Sequence, residues 1–497
     1  MQYQSTRDKT QKVSASGAIF QGISPEGGLY VPVSLPKLTD ERLEKMVEMD
    51  YIRRAEEILG EFLDDFSAEE VEKCVKGAYG GEKFASRSVA PLSKLGETDY
   101  LLELWHGPTC AFKDMALQML PHTMTASARK AGNGEEIVIL VATSGDTGKA
   151  ALEGFCDVPG IRILVFYPED GVSPLQKKQM ATQEGENVFV AAIEGNFDDA
   201  QTGVKKLFTD PAVIARLNEQ KMVFSSANSI NWGRLMPQIV YYISAYCDLV
   251  KDEQIALGDT VNVCVPTGNF GNILAAYYAK QMGLPIGKLI CASNRNDVLA
   301  DFISTGTYDR NRPFYATTSP SMDILVSSNL ERLLFHLLGE DDKGVAQLMD
   351  QLKNEGKYTV PQEMLERLQK DFAGGSCSEE ACAATINELF EKYGYLCDTH
   401  TAVAVSVCRQ YRKATGDETR TIIASTASPF KFPHAVLSAL GCDITGLDEF
   451  AAAEKLEELS GCPMPEQLRA LREKPIRFTD VYAKENMNDA LEKALNR

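Results

Sequence analysis

The chain has 497 residues, of which 44% are hydrophobic and 24% are charged, as is ordinary for folded proteins. This length permits a large core and favours two or more domains. Lysine and arginine number 51 and aspartate and glutamate 70, so the formal net charge of −19 argues against a nucleic-acid partner. A local basic pocket for a small phosphorylated ligand is compatible with this charge.

The amino terminus has no apolar stretch of the signal-peptide type, and no apolar run is long enough to cross a bilayer. The twelve cysteines are scattered and form no C-x-x-C pair, which favours reduced thiols packed as small hydrophobic side chains. The five histidines show neither H-x-x-x-H nor H-E-x-x-H spacing. We therefore expect a cytoplasmic protein with no metal site and no membrane partner.

Short apolar strands alternate with helical segments along much of the chain. The predicted strands cover residues 136–141, 162–167, 187–193, 261–266, 289–292 and 421–425. Near-continuous apolar strands separated by helices are typical of parallel sheets covered on both faces. The expected fold class is α/β, with two open, twisted domains.

The domain prediction divides the chain into three parts. Residues 1–100 pack on the large domain, residues 101–225 form a small α/β domain, and residues 226–497 form the large α/β domain. Helical additions are expected at about 341–391 and 451–497, and residues 374–376 (Gly-Gly-Ser) are interpreted as a loop. A cleft between two domains is the usual place for a small-molecule site.

Residues 105–114 place Lys113 after a Gly-Pro turn signal and between Phe112 and Asp114. Burial and neighbouring positive charge lower the pKa of a lysine amine and make it nucleophilic. Such an amine can hold pyridoxal 5′-phosphate (PLP) as a Schiff base and can later move protons. The alternative is a solvated surface lysine. Asp114 is interpreted as a solvent-facing acid rather than as a counter-charge.

Two polar loops follow predicted strands. The first, residues 143–148, reads Thr-Ser-Gly-Asp-Thr-Gly, and the second, residues 268–272, opens a helix. Glycines let the backbone approach a ligand, and the N–H groups at a helix start bind anions. The alternative is a plain strand-to-helix turn. The second loop is not a Walker loop, because no Gly-Lys-Ser/Thr follows it.

The lysine segment and both loops, together with residues 228–234 (NSINWGR), resemble the threonine synthase family. This family belongs to the tryptophan-synthase-β-like group of fold-type II PLP enzymes. The resemblance begins at residues 22–32, continues through 321–329 and 398–403, ends near 425–433, and so covers most of the chain.

The resemblance implies PLP in the interdomain cleft and a carbon–oxygen lyase acting on a phosphate ester. The implied reaction converts O-phospho-L-homoserine and water into L-threonine and phosphate, the last step of threonine biosynthesis. Alternatives are another PLP lyase, such as a threonine dehydratase or a phospho-lyase releasing 2-oxobutyrate, or a PLP-binding sensor or carrier without turnover. The oligomeric state, monomer or homodimer, stays open.

The resemblance also assigns residues to roles, with Lys113 as the catalytic lysine. Its implied cofactor-binding residues are Lys113, Asp146, Gly268, Asn269, Phe270, Gly271, Asn272 and Thr426, and its implied substrate-binding residues are Thr143, Ser144, Asn228 and Arg234. Asp146 would face the ring hydroxyl, the second loop would hold the cofactor phosphate, and the Thr426 hydroxyl would meet the pyridine nitrogen. The first loop would hold the substrate carboxylate, and Asn228 and Arg234 the substrate phosphate.

Some assignments carry alternatives. Relatives often have Asn at the position of Asp146, so this acid must share a proton with the ring oxygen or turn away. Relatives usually have His at the position of Ser428, so any role of that imidazole is lost or supplied elsewhere. Arg234 is either a phosphate ligand or a cap of a domain interface. Lys149 either adds charge for the substrate phosphate or is a solvated first-turn residue.

Overall fold

The structure is a computed structural model that describes residues 1–132, 134–170 and 172–496. Its strands are β1 Tyr3–Ser5, β2 Lys12–Val13, β3 Tyr30–Pro32, β4 Leu92–Leu95, β5 Asp99–Glu103, β6 Glu136–Ala142, β7 Ile161–Pro168, β8 Val188–Glu194, β9 Met222–Ser225, β10 Val261–Pro266, β11 Ile286–Ser293, β12 Thr307–Asp309, β13 Lys357–Thr359, β14 Phe372–Ser376, β15 Thr421–Ser425 and β16 Val481–Ala483. Its α-helices are α1 Ala15–Gln21, α2 Asp40–Val47, α3 Tyr51–Phe62, α4 Ala68–Tyr79, α5 Asp114–Leu117, α6 Leu120–Ala131, α7 Asp146–Phe155, α8 Pro174–Ala181, α9 Phe197–Thr209, α10 Pro211–Glu219, α11 Trp232–Lys251, α12 Gly271–Met282, α13 Val298–Thr305, α14 Leu330–Leu337, α15 Asp342–Asn354, α16 Gln362–Asp371, α17 Glu379–Tyr393, α18 Thr399–Thr415, α19 Pro433–Ala439, α20 Glu449–Ser460, α21 Glu466–Arg469 and α22 Met487–Leu495.

Two sheets with helices on their faces form the frame, and the α/β expectation is confirmed. The first sheet has six strands in the order β14-β11-β10-β15-β5-β4, parallel except for the β4–β5 pair. The second has five parallel strands in the order β16-β8-β7-β6-β9. The strands β6, β7 and β10 are buried almost throughout, as continuous apolar runs between two helical layers require.

The strand register brings several loops to one edge of the six-stranded sheet. Cys264 of β10 lies opposite Ile423 of β15, and Ser425 of β15 lies opposite Glu103 of β5. Because these strands are parallel, the segments that follow β5, β10 and β15 all leave at the carboxyl edge. Ligands of open α/β sheets bind at that edge.

The interpretation of residues 374–376 as a loop is wrong, because these residues belong to the edge strand β14. A Cβ on Gly374 would lie 2.9 Å from Ala300 Cα of α13, and a Cβ on Gly375 would lie 2.8 Å from Val407 Cγ1 of α18. The glycines let this strand pack directly on two helices. In the sequence they read as turn residues because their packing partners are distant along the chain.

Two strands pair with parts of the chain that the domain prediction assigns to a different domain. The boundary at residue 101 falls inside β5, whose Leu101 pairs with Ile423 in the six-stranded sheet. In the carboxyl-terminal tail, Val481 of β16 pairs with Ala192 of β8 in the five-stranded sheet. Each sheet therefore contains strands from both halves of the chain.

Within the described ranges, no helix combines the length and the hydropathy that a bilayer crossing needs. All twelve cysteines carry free thiols, and most of them are buried in the core.

Candidate active site

The candidate site lies where the carboxyl edges of the two sheets face each other. Lys113 follows β5, Asp146 follows β6, and Thr426 follows β15. The Phe112 backbone N–H donates to the Thr426 carbonyl at 2.8 Å, and Lys113 Nζ lies 3.7 Å from Asp146 Oδ2. The structure thus brings together three of the predicted residues from two sheets.

Lys113 is a buried lysine, with 9% of the residue exposed, and is not the solvated surface charge of the alternative interpretation. Burial is the main cause that lowers its pKa to about 8, while Asp146 acts to raise the pKa and the nearby Lys431 and Arg234 act to lower it. Near neutral pH a useful share of the amine is therefore unprotonated, as a nucleophile or a base requires.

Asp146 is the first residue of α7 and is fully enclosed by polar partners. It accepts hydrogen bonds from Gln176 Nε2 at 2.9 Å and forms an ion pair with Lys431 Nζ at 2.6 Å. Burial alone would raise the pKa of this carboxyl, but Lys431 and Lys113 hold it well below the usual range. Asp146 is therefore an ionised acid that faces two lysines.

Lys431 is a site residue that the sequence interpretation missed. It ends a short 3-10 helix, only 1% of it is exposed, and Nζ also donates to the Thr109 carbonyl at 3.0 Å. The one available signal was a lysine between Phe430 and Phe432, an unusual position for a charge. We call Lys113, Asp146 and Lys431 the lysine cluster.

The interpretation of Asp114 as a solvent-facing acid is wrong, because the residue is fully buried. Its carboxylate accepts from the Thr109 backbone N–H at 2.8 Å and from Thr109 Oγ1 at 2.6 Å. Burial raises its pKa to about 6 against these two hydrogen bonds. Asp114 fixes the turn that precedes Lys113, which is why a sequence neighbour of the lysine points inward.

The loop at residues 143–148 is held by its own threonine. Thr143 Oγ1 accepts from the backbone N–H groups of Gly145 at 3.0 Å and Gly148 at 2.9 Å. Gly145 has φ +134°, and a Cβ there would overlap the Gln176 side chain. Ser144, between them, is half-buried and follows the strand that leads into α7.

Lys149 lies on α7 and is buried, so its interpretation as a solvated residue is wrong. Its Nζ lies 2.8 Å from Glu153 Oε2 and 2.5 Å from Gln183 Oε1. Glu153 therefore compensates the charge of Lys149, and Gln183 accepts a further hydrogen bond from it.

Residues 268–272, the glycine loop, connect β10 to α12. Phe270 has φ +62°, a left-handed conformation that is uncommon outside glycine, and no side chain of the described residues caps α12. The Asn269 carbonyl accepts from the Asn329 backbone N–H at 3.1 Å and from Nδ2 at 2.9 Å. The turn is thus fixed by Asn329, while the first N–H groups of α12 find no side-chain acceptor among the described residues.

Two buried donors near this loop lack acceptors within the described part of the chain. They are Asn272 Nδ2 and Arg234 Nε. Asn272 Oδ1 accepts from Tyr241 at 2.9 Å and from Tyr242, and Arg234 Nη1 donates to the Ala227 carbonyl at 2.5 Å. Burial lowers the pKa of Arg234 to about 10. Unmatched buried donors are costly, so they indicate a ligand rich in acceptors.

Residues 228–234 are tied to the glycine loop through Asn329. Asn329 Nδ2 donates to Ser229 Oγ at 3.1 Å, and the half-buried Asn228 accepts from the Asn231 backbone N–H at 3.0 Å. Asn231 then caps α11, the helix that carries Arg234, by accepting from Gly233. Asn228, Arg234 and the glycine loop therefore occupy one side of the cleft.

Ser428 stands where an imidazole was expected from the resemblance. It is buried, and its Oγ accepts from the Phe430 backbone N–H at 3.4 Å. Its role here is to cap the 3-10 helix that ends at Lys431.

The residues present fit PLP. Lys113 offers an amine to an aldehyde, and Thr426 offers a buried hydroxyl to the ring. The uncapped start of α12 and the unmatched donor of Asn272 suit a phosphate, and the excess of basic groups in the lysine cluster suits an anionic ligand.

Three family models match the chain in consecutive order. Residues 2–79 match the threonine synthase N terminus, residues 88–426 match the pyridoxal-phosphate dependent enzymes, and residues 401–492 match the threonine synthase C-terminal region.

Curated relatives agree with these matches. Threonine synthase-like 1 of Homo sapiens is 44% identical over 446 residues, covering 87% of this chain, while the chain spans only 59% of that relative's length. Threonine synthase of Pseudomonas aeruginosa is 41% identical over 440 residues, covering 88% of this chain and 90% of the relative.

Solved structures share the whole fold. The PLP-bound threonine synthase from Brucella melitensis superposes with a TM-score of 0.88 at 37% identity, covering 100% of this chain and 99% of that one. Threonine synthase from yeast gives a TM-score of 0.87 at 32% identity, with coverage of 100% and 99%.

Proposed function

We propose that this chain, which belongs to the threonine synthase family of pyridoxal-phosphate-dependent enzymes, converts O-phospho-L-homoserine and water into L-threonine and phosphate. The observation that carries the proposal is the buried Lys113, which faces Asp146 beside a pocket with unmatched donors on Arg234 and Asn272. A lysine base next to an anion-binding surface suits a phosphorylated amino acid.

When bound, PLP supplies an electron sink that makes carbon-bound protons acidic and allows the phosphate to leave. We assign Lys113 to its aldehyde, Asp146 to the ring hydroxyl and Thr426 to the ring nitrogen. The glycine loop would hold its phosphate, through the N–H groups at the start of α12. A neutral hydroxyl at the ring nitrogen moderates the electron demand, whereas an acid would increase it.

Lys113 is assigned the proton transfers. With a pKa lowered to about 8 by burial, its Nζ can take a proton from a substrate carbon near neutral pH and return one later. Asp146 keeps the protonated amine close, because Nζ is only 3.7 Å from its Oδ2.

Arg234 and Asn228 are assigned to the substrate phosphate. Phosphate gains negative charge as it leaves, and the unmatched Nε of the buried Arg234 is a donor suited to this charge. We assign Ser144 and the backbone of the Thr143 loop to the substrate carboxylate. The Thr143 hydroxyl itself already accepts two backbone N–H groups and so shapes the loop.

We also propose a reducing compartment such as the cytoplasm, since twelve free thiols, most of them buried, persist only where oxidation is suppressed.

A paired assay tests the proposed reaction. Purified protein with added PLP and O-phospho-L-homoserine is followed for phosphate and for threonine in the same sample. Equal amounts of both products support the synthase reaction. Phosphate with 2-oxobutyrate and no threonine would replace it by a lyase, and PLP binding with neither product would refute turnover of this substrate.

A further inference from the structure

We propose that the Ser321 hydroxyl orients the Lys113 amine for proton transfer, and that His400 positions Ser321 through its backbone. The inference deepens the proposed function and rests on Lys113 being the reactive amine. Ser321 would be a catalytic residue because it touches the reacting nitrogen, and His400 and Asp398 would be positioning residues.

The Ser321 hydroxyl lies between the Lys113 amine and the Asp146 carboxylate. Lys113 Nζ donates to Ser321 Oγ at 3.2 Å, and Ser321 Oγ donates to Asp146 Oδ2 at 3.4 Å. A hydroxyl can accept one hydrogen bond and donate another at the same time. The serine therefore links the amine to the carboxylate in one fixed direction.

The turn that carries Ser321 also closes on the glycine loop. Ser321 belongs to a short 3-10 helix, Pro320–Met322, and its carbonyl oxygen would lie 2.5 Å from a Cβ at Gly268. Only a glycine leaves room for this carbonyl, so the loop and the Ser321 turn must be placed together.

His400 holds the turn from the side of α18. Its Nε2 accepts the Ser321 backbone N–H at 3.2 Å, and its Nδ1 lies 2.7 Å from Asp398 Oδ2. Because a backbone N–H can only donate, Nε2 must be unprotonated, and the ring proton must sit on Nδ1 facing Asp398. Both residues are buried, and Asp398 also caps α18 through the Thr401 N–H at 3.1 Å.

A second network holds the turn from the side of β11. Asp323 Oδ1 accepts from Asn294 Nδ2 at 2.7 Å and from Asn296 Nδ2 at 3.0 Å. Asn294 Nδ2 also donates to Ser319 Oγ at 3.0 Å, and the Met322 N–H donates to the Ser319 carbonyl at 3.0 Å. The turn is therefore fixed through its backbone and its neighbours on both sides. The Ser321 hydroxyl adds nothing to either anchor, so its use lies with Lys113 and Asp146.

The proton balance of this arrangement is simple. A proton moves from a substrate carbon to Lys113 Nζ and back, while Ser321 keeps its own proton. When Nζ is protonated, Ser321 Oγ accepts from it and directs its own O–H to Asp146. When Nζ is neutral, one N–H still donates to Ser321, so the lone pair is held in a defined direction.

The first experiment compares Ser321→Ala, Ser321→Thr and the control Ser304→Ala. Ser304 is exposed on α13, where its Oγ only donates to the Ala300 carbonyl at 2.9 Å. We expect Ser321→Ala to lower kcat about 10- to 100-fold with little change in KM, and Ser321→Thr to restore most of the loss. Ser304→Ala should match the wild type, and thermal melts monitor folding of each variant.

A readout independent of turnover is the pH titration of the visible absorbance of the PLP-loaded protein. In Ser321→Ala the protonated lysine nitrogen loses an acceptor, so the midpoint should move to lower pH by about half a unit to one unit. His400→Gln should move it in the same direction by less. A titration and a kcat of Ser321→Ala equal to those of the wild type would overturn the proposal.

The absorbance titration also separates this inference from the reaction assigned above. If the wild-type protein released no threonine, the proposed reaction would fail, while a shifted midpoint in Ser321→Ala would still support the contact with Lys113. An unshifted midpoint in a fully active wild-type background would refute the Ser321 role alone.

Discussion

The glycine loop and the lysine cluster prepare the same cleft by different physical means. In the glycine loop the backbone makes the site: Phe270 is left-handed, Gly268 leaves room for a carbonyl, and α12 starts without a side-chain cap. In the lysine cluster charge makes the site, because Asp146 is held between Lys113 and Lys431. The backbone conformation of the glycine loop is set within a few consecutive residues, whereas the lysine cluster requires charged residues that are far apart in sequence.

The largest expected effect comes from removing the reactive group of the lysine cluster. Lys113→Ala should lower phosphate release at least about 1,000-fold, because both the nucleophile and the base are lost. Lys113→Arg, which keeps a charge but cannot form the bond to an aldehyde, should be equally inactive. The exposed Lys343→Ala serves as the control, and residual turnover near the wild-type rate in Lys113→Ala would contradict the assignment.

The next test distorts the glycine loop by adding a Cβ atom and leaves every charge of the site unchanged. In Gly268→Ala the new Cβ would lie 2.5 Å from the Ser321 carbonyl oxygen, so the loop or the turn must move. We expect the affinity for PLP, measured by absorbance titration, to fall about 10- to 100-fold. In Gly271→Ala the nearest neighbouring atom is 3.6 Å away, so a much smaller loss is expected there. Equal losses in both variants would show that chain entropy, and not this close contact, sets the affinity.

The third test removes the charge of Lys431 from the lysine cluster. Burial and the Lys431 charge both lower the pKa of Lys113 to about 8, so Lys431→Met should raise that pKa. If activity requires the neutral amine, the rising limb of the pH–rate profile should move to higher pH by about half a unit to one unit. Stability should fall by about 3 kcal/mol, because Asp146 loses its nearest counter-charge.

Lys431→Arg is the matched control for that variant, since it keeps the positive charge at the same position. In Lys431→Arg the rising limb of the pH–rate profile should stay closer to its wild-type position than in Lys431→Met. An unchanged limb in Lys431→Met would show that the two lysines do not interact across Asp146.

The smallest expected effect concerns Thr426. Thr426→Val keeps the shape of the side chain and the carbonyl that accepts from Phe112, and it removes only the hydroxyl assigned to the ring nitrogen. We expect about a 3- to 10-fold loss of kcat, in line with one neutral hydrogen bond. Thr426→Ser should retain the activity, and a loss of equal size in Thr426→Ser would assign the effect to packing.

Local signals in the sequence predicted the elements that are local in the structure. The strands β10 and β15 have the predicted bounds, and the glycine loop stands between a strand and a helix as expected. Residues 374–376 were misassigned because the reason for two glycines in a strand is a pair of distant helices.

The charge environment could not be obtained in the same way. The sequence places Asp114 next to Lys113 but does not show that it faces inward, because its contacts with Thr109 form only when the turn folds. Lys431 and Ser321 are more than 200 residues from Lys113 in sequence, and no periodicity connects them. Such contacts depend on the order of strands in the sheet, which a single sequence does not specify.

The pairing of β16 with β8 has a consequence for synthesis of the chain. On a ribosome, residues 192–194 of β8 emerge almost 300 residues before their partners at 481–483. During that interval a strand whose residues Val188 to Ile193 are all apolar has an unpaired edge. Until residues 481–483 have emerged, this edge can pair with a strand of another chain, and a chaperone that binds exposed strands would act during that interval.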